Sequence, residues 1–429
     1  QFLTRAVLAG AAGLSIPAVL WASRPRAGSE SLPRVSGSPS SNSPPSPSSA
    51  GPSPSGADVP VFSWDEQELA GRFTFANWPY YIDRMQNNVH PSLDRFTEAT
   101  SIEVSYRRPI RGNARFLETI RPALEAGEPT GFDLIVMTNG PELSTLIREG
   151  WVIPLAHELL PTFAQQAARF VQDPPWDPGN RFTAAWQSGL TGLAFRPEAV
   201  AALGREPRSI QDLWDPALAG HVGMMNDLQD LGNMALLSIG VDPPSSTPAE
   251  WSDASIRLRE QQDAGIVRDY YDQGYVRALT RGDVWLCQAW SGDIFQLNAT
   301  GSPELRFVVP DEGALLWTDN MMIPVNAEHP LDALTYMDFM YRPEIAAMVA
   351  DWVGYISPVP AAEEVVRHDL RDPVVAESPL VFPQDRTLGA TEGFTSYYAF
   401  TSELEEQEWD RLFGPIAGSD PSPSPSASP

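Results

Sequence analysis

Two short stretches of this chain set an indole next to a carboxylate. "WSGD" runs from Trp290 to Asp293, and "WTD" from Trp317 to Asp319. Three more segments carry the same mixture. "FANWPYY" supplies Trp78, Tyr80 and Tyr81, "MMNDLQDLGN" supplies Asp227 and Asp230, and "WVGYISP" supplies Tyr355. Asp227 and Asp230 share a face if their segment turns as a helix. Rings beside full charges suit an alkyl-ammonium guest, which needs carboxylates for its nitrogens and apolar walls for its methylenes. An aromatic face serves both, because its quadrupole attracts a cation while the ring excludes water, at roughly 0.5–2 kcal/mol per contact. A hydrogen bond to a charged group contributes about 1.5–3 kcal/mol. Carboxylates set apart also measure the distance between two amines.

Each residue has an ordinary use as well. Trp290 and Trp317 fit a hydrophobic core. Asp227 fits a helix N-cap. Asp293 and Asp319 fit turn caps, with Gly292 supplying the bend beside Asp293. "NWPYY" fits aromatic packing at a strand end. Recurrence is what argues for a site: the pairs return at expected strand ends and loops, where binding residues concentrate.

Those ends are placed by short apolar β-prone runs alternating with helical patterns. The expected strands are 72–77, 132–137, 222–226, 284–289 and 306–309. The expected helices are 91–100, 116–126, 141–149, 331–340 and 343–353. Pro343 stands just inside a helix start, where its missing N–H matters least. Such alternation implies an α/β sheet covered on both faces. Ligands of such sheets bind beyond the carboxyl ends of strands. Trp78, Thr138 and Trp290 each come directly after an expected strand.

Composition narrows the chemistry. The 429 residues include 55 acidic against 29 basic, a formal charge of −26. Phosphate binding needs a positive footprint, so a nucleic-acid partner is not expected. The acidity fits attraction of a small cation and equally fits simple solubility. Every basic residue is Arg; without Lys there is no P-loop lysine, pyridoxal Schiff base or lysine general base. A single Cys287 excludes an internal disulfide framework and any multi-cysteine metal site. His90, His157, His221, His329 and His368 are scattered without ligand spacing. No metal and no cofactor is expected.

The opening "QFLTRAVLAGAAGLSIPAVLW" reads as the apolar region of a secretory signal, spanning residues 1–35. Its "QFL" resembles the residues just after the arginine pair of a twin-arginine signal. No cysteine comes after the apolar run, so no lipoprotein anchor is expected. Residues 36–63 form a Ser/Pro linker, whose stretch Ser36–Gly56 holds only Ser, Pro, Gly, Asn and Ala. Such a segment buries no apolar surface and stays extended. Residues 416–429 form a second Pro/Ser tail.

Taken in order, "FANWPYYI", "FDLIVMTN", "SIQDLWDPALAGHVGMMND", "WSGD", "LLWTDNMMIP" and "RPEIAAMVADWVGYISP" resemble the substrate-binding proteins of bacterial spermidine/putrescine ABC importers. The resemblance runs from about Phe73 to about Ala361. It implies a type II periplasmic-binding-protein fold: two α/β lobes joined by a hinge with the ligand cleft between them. Residues 64–186 plus 318–365 would form one lobe and 187–317 plus 366–415 the other. By carry-over, Trp78 and Tyr81 match aromatic pocket positions and Thr138 a small hydroxyl contact. Asp227 and Asp230 match acidic positions, Trp290 and Trp317 ring walls, Asp319 an amine-binding carboxylate and Tyr355 a late aromatic contact. Asp293 matches the acid of members that prefer putrescine. Tyr80 stands where the family often has an acid, and Gly140 where some spermidine binders have Tyr. The segment "FTSYYAF", past the resemblance, is assigned no contact.

The resemblance implies a monomeric, exported binding protein, not an enzyme, that captures a polyamine and delivers it to a membrane permease. A different cationic metabolite, or a sensor role, keeps the same fold. A secreted glycosidase is the remote alternative, since paired carboxylates beside rings also suit sugars. With ordinary carboxylates, binding should weaken only below about pH 4.

Overall fold

A computed structural model describes residues 62–85, 88–299, 305–383 and 394–418. The signal-like segment, nearly all of the linker and most of the C-terminal tail lie outside them. The described strands are β1 (Arg72–Ala76), β2 (Glu103–Arg107), β3 (Leu134–Thr138), β4 (Ala184–Phe195) and β5 (Val222–Met225), then β6 (Val267–Tyr271), β7 (Leu286–Trp290), β8 (Arg306–Val308), β9 (Ala314–Met322) and β10 (Phe394–Ser396). They make one sheet in the order β2-β1-β3-β9-β4-β7-β5-β6, with β10 beside β9 and β8 beside β4.

The sheet has two parallel wings, β2-β1-β3 and β7-β5-β6. Antiparallel β9 and β4 join them: β9 pairs with β3, β4 with β7, and the two pair with each other. The mixed α/β architecture is the one expected. Both faces of the sheet are covered. Leu134 and Val136 of β3 enter one apolar cluster with Phe73, Phe75 and Trp186. Ile135 and Met137, pointing the other way, enter a second with Phe116, Leu117 and Ile120. Alternate residues of a strand face opposite sides.

Five expected helices are present as Pro91–Thr100, Asn113–Ala126, Pro141–Arg148, Pro330–Phe339 and Pro343–Val353. Pro343 opens the last of them, and Gly354 closes it with a left-handed φ of 68°, the conformation that favours glycine at a helix end. The connecting strands β4 and β9 escape a reading by pattern. Every residue of both is buried, so they lack the polar-out alternation of a half-exposed strand. Their polar residues, including Gln187, Thr191, Asp319 and Asn320, resemble loop composition. This corrects the expectation that Trp317 and Asp319 lie at a strand end or loop: both are interior to β9.

The long helix Glu403–Ala417 covers helices Leu228–Ser238 and Pro248–Asp263. Its Trp409 lies against Gly232, where a Cβ would come within 2.3 Å of the indole. The Trp409 indole N–H donates to the Leu228 carbonyl at 3.0 Å. The helix therefore holds the Leu228–Ser238 helix in place, and with it Asp227 and Asp230.

Candidate binding site

The site forms where β9 and β4 cross between the wings. The register runs Thr138 on β3, Asp319 on β9 and Gln187 on β4, with a bulge between Ala185 and Gln187. Directly opposed residues of antiparallel strands share a face. Two positions along, Gly189 pairs with Trp317. A Cβ on Gly189 would lie 2.3 Å from the Trp317 ring, so glycine is what lets the indole lie flat over β4. Thr191 is next on the same face. Its hydroxyl accepts from the Trp317 indole at 3.1 Å and donates to Asp230 Oδ1.

Asp230 lies in the first turn of Leu228–Ser238, with Asp227 as N-cap. Asp227 Oδ1 accepts from the backbone N–H of Gln229 at 2.9 Å and of Asp230 at 3.0 Å. Its ordinary use as a cap is therefore real, and its side chain remains open to solvent. Asp230 is buried. Its Oδ2 accepts from the Trp290 indole at 2.7 Å and its Oδ1 from the Tyr397 hydroxyl at 2.6 Å.

Trp290 ends β7, and the chain turns at once into helix Ser291–Ala299, which places Asp293 in its first turn. Asp293 accepts from the Tyr275 hydroxyl at 2.8 Å and the Tyr355 hydroxyl at 3.0 Å. Gly292 makes room for Tyr355, since a Cβ there would lie 2.5 Å from its ring. Asp319 accepts from the Thr138 hydroxyl at 2.6 Å. The buried Tyr81 hydroxyl faces Asp319 as a looser donor and, with Thr138, works against the upward push of burial.

The rings close the wall. Trp290 and Trp317 meet edge to face at 6.4 Å between centroids, Trp317 and Tyr355 at 5.5 Å, and Tyr355 and Tyr81 at 5.4 Å. Trp78 comes just after β1, at the sheet edge that Thr138 ends. It is half-buried, and its indole N–H has no partner among the described residues. Asp230, Asp293 and Asp319 thus sit around a box of indoles and phenols. Tyr80 is exposed and forms no part of it.

Burial governs the electrostatics. It pushes Asp230 up to about 7, the charge of Asp227 adding to the effect, and Asp319 up to about 6. Asp293 and Asp227 are raised for the same first reason. Even Asp227, though solvent reaches it, is hemmed in by protein. The groups that shift these four are burial, hydrogen-bond donors and another acid; none is a cation. An arrangement of this kind discharges its electrostatic cost by taking up positive charge. It also moves the expected onset of weakened binding from about pH 4 to near neutrality, because Asp230 and Asp319 protonate there.

All ten expected site residues are accounted for. Asp227 touches the box only through Asp230, and Trp78 is placed by its strand edge; the other eight are joined by direct contacts. Three further residues carry the site: Thr191, Tyr275 and Tyr397. The segment "FTSYYAF", left without an assignment in the sequence, supplies Tyr397. Aromatic density in that segment was the available signal, but only the fold carries it to Asp230. Glu142, in the first turn of Pro141–Arg148, is pushed up to about 8 by burial, with Asp227 adding repulsion, and extends the acidic surroundings. Among the described residues no group of three or more His, Cys, Asp or Glu is arranged to hold a metal ion.

Buried carboxylates ringed by indoles and phenols thus gather where β4 and β9 cross. The family described as bacterial extracellular solute-binding protein matches residues 92–383. The chain belongs to that family, and it is a solute-binding protein of the ABC-transporter type, not an enzyme. The spermidine/putrescine-binding periplasmic protein of Escherichia coli is 26% identical over 336 residues, 77% of this chain and 89% of its own length. The putrescine/cadaverine-binding protein of Pseudomonas aeruginosa is 26% identical over 304 residues, 69% of this chain and 81% of its own. The solved structure of a putative spermidine/putrescine ABC transporter from Listeria monocytogenes matches in fold with a TM-score of 0.66 at 23% identity, covering 81% of this chain and 99% of that one.

Proposed function

We propose that this protein captures a polyamine outside the cytoplasm and delivers it to the membrane permease of an ABC importer. One observation carries the reading: three carboxylates, Asp230, Asp293 and Asp319, stand in an aromatic box with no cation among the described residues to neutralise them. A slender aliphatic polycation supplies what the box lacks. Its nitrogens neutralise the acids, and its methylenes lie against Trp290, Trp317 and Tyr355. The relatives' names, which specify putrescine with spermidine or cadaverine, support this ligand class.

The residues divide along the lobes read from the sequence. Trp78, Tyr81, Thr138, Asp319 and Tyr355 belong to 64–186 plus 318–365, and Asp227, Asp230, Trp290, Asp293 and Trp317 to 187–317 plus 366–415. Two of the three boundaries fall inside β4 and β9, which then serve as the hinge, and the third follows the helix Ala362–Val365. Closure brings Tyr355 onto Asp293 and seals the ligand from water. Export by the twin-arginine route, a Ser/Pro tether reaching the permease and a monomeric state complete the proposal. No helix among the described residues is long and apolar enough to cross a membrane.

Calorimetry tests the reading. Putrescine, cadaverine and spermidine should include at least one ligand bound at micromolar affinity or better. Asp319→Asn should weaken that ligand by about 100-fold, the loss of a charge-assisted contact in a dry site. No heat with any polyamine at pH 8 would overturn it.

A further inference from the structure

Asp319 differs from the other two carboxylates. Asp230 accepts from three side-chain donors, Thr191, Tyr397 and Trp290. Asp293 accepts from two tyrosines. Asp319 accepts from Thr138 at close range, and the Tyr81 hydroxyl faces it as a looser donor. Its cross-strand neighbour adds an oxygen with nothing to bind. Gln187, its cross-strand partner, is 2% exposed, and its carbonyl Oε1 has no hydrogen-bond partner among the described residues. Tyr81, 6% exposed, turns its hydroxyl to Asp319, and the lone pairs of that oxygen have no donor among the described residues. An amide oxygen stranded in a nearly dry interior is costly unless something donates to it.

The orientation of Gln187 is set by the sheet. It opposes Asp319 in register, and Gly189, two residues on, lies under Trp317. Gln187, Asp319 and Thr138 therefore share one face of three adjacent strands. A terminal ammonium carries three N–H donors and no acceptor. A secondary amine in its charged form carries two, and a quaternary nitrogen none.

We propose that Gln187, Asp319 and Tyr81 form a seat for a terminal primary ammonium, one oxygen to each N–H, and that Gln187 makes this end of the cleft selective for an unmethylated amine. This rests on the polyamine reading and adds to it the orientation of the ligand: a primary nitrogen sits at the crossing of β4 and β9, and the chain runs toward Asp293 and Asp230. The carboxylate supplies charge, and the amide oxygen counts donors.

The test is calorimetry on the full chain at pH 8 with putrescine and its bis-trimethylammonium analogue. Wild type should bind putrescine and bind the analogue at least about 100-fold more weakly. Gln187→Met, which keeps length and removes the oxygen, should lose about tenfold or more in putrescine affinity. Its affinity for the analogue should not fall, so the discrimination narrows. Gln187→Glu keeps an acceptor and should hold putrescine affinity within about threefold, which separates a lost contact from a damaged fold. Wild type that binds both ligands equally, or Gln187→Met that binds putrescine unchanged, overturns the seat while the polyamine reading stands. Wild type that binds no polyamine overturns both.

Discussion

Asp230 shows how the proposed cation site is built without a cation of its own. Other buried acids here are quenched by backbone N–H groups: Asp332 accepts from Ala70, Gly71 and Arg72, and Asp177 from Arg181, Phe182 and Thr183. Those bonds hold loops. Asp230 is held by the side chains of Thr191, Tyr397 and Trp290 instead. Unfolded carboxyls titrate near 4, whereas burial brings Asp230 to about 7 and Asp319 to about 6. Between those limits the empty folded protein holds protons that the unfolded chain has lost. Its stability from these groups is therefore greatest at low pH and falls as pH rises from about 4 through 7. A polyamine has the opposite preference, since it binds the ionised form. In a thermal scan from pH 7 to pH 5, the ligand-free melting temperature should rise while the ligand-induced increment shrinks. The Asp230→Asn/Asp319→Asn double variant should flatten both trends; a wild type with a pH-independent increment would place these acids in water. Tyr397→Phe removes one donor to Asp230 and should weaken binding by about tenfold, read by calorimetry.

At the scale of elements, glycines decide where the rings go. Gly189 of β4 lies beneath Trp317, and Gly292, at the start of Ser291–Ala299, beneath Tyr355. A methyl at either place meets a ring at 2.3 Å or 2.5 Å, and both rings are buried. Gly189→Ala should destabilise by about 1–3 kcal/mol, as overpacking does, and should also abolish tight binding by breaking the Trp317–Thr191–Asp230 chain. Urea denaturation and calorimetry read the two effects separately. The helix Glu403–Ala417 works at longer range. Trp409 packs with Trp251, Phe400 and Phe413 and fills the notch at Gly232. Trp409→Ala should cost about 3–5 kcal/mol, measured by the same denaturation, and should loosen Asp230 although the indole touches no ligand position.

For the whole molecule, three contacts cross between the proposed lobes. Tyr355 bonds Asp293 across the proposed lobes, Gly140 faces Gln229, and Arg148 bridges to Glu406 at 3.0 Å. The Arg148–Glu406 pair is partly exposed, and such pairs contribute about 0–1 kcal/mol. A contact of that size would trim closure of the proposed lobes, not drive it. Arg148→Ala should raise the ligand off-rate by less than about fivefold in stopped-flow displacement, far below the effect of Asp319→Asn. Solution scattering should show the radius of gyration falling on polyamine addition if the lobes close on the ligand; an unchanged radius would leave β4 and β9 as a rigid bridge.

The sequence alone determined the α/β class, five of the helices, and the set of residue types that meet around the cleft. These depend on local periodicity, on proline and glycine at element ends, and on rings recurring beside acids. It did not reveal β4 and β9, because strands buried on both faces lose alternation and here carry the site's polar side chains. It could not assign Tyr397, whose approach to Asp230 spans 167 residues of chain. Nor could it separate Asp230 from Asp332 or Asp177: all three are buried acids, and only the tertiary structure decided that one meets side chains lining a cleft and the others meet backbone. A carboxylate's proton affinity is set by the water it has lost and the donors it has met, and both are properties of the folded chain in three dimensions.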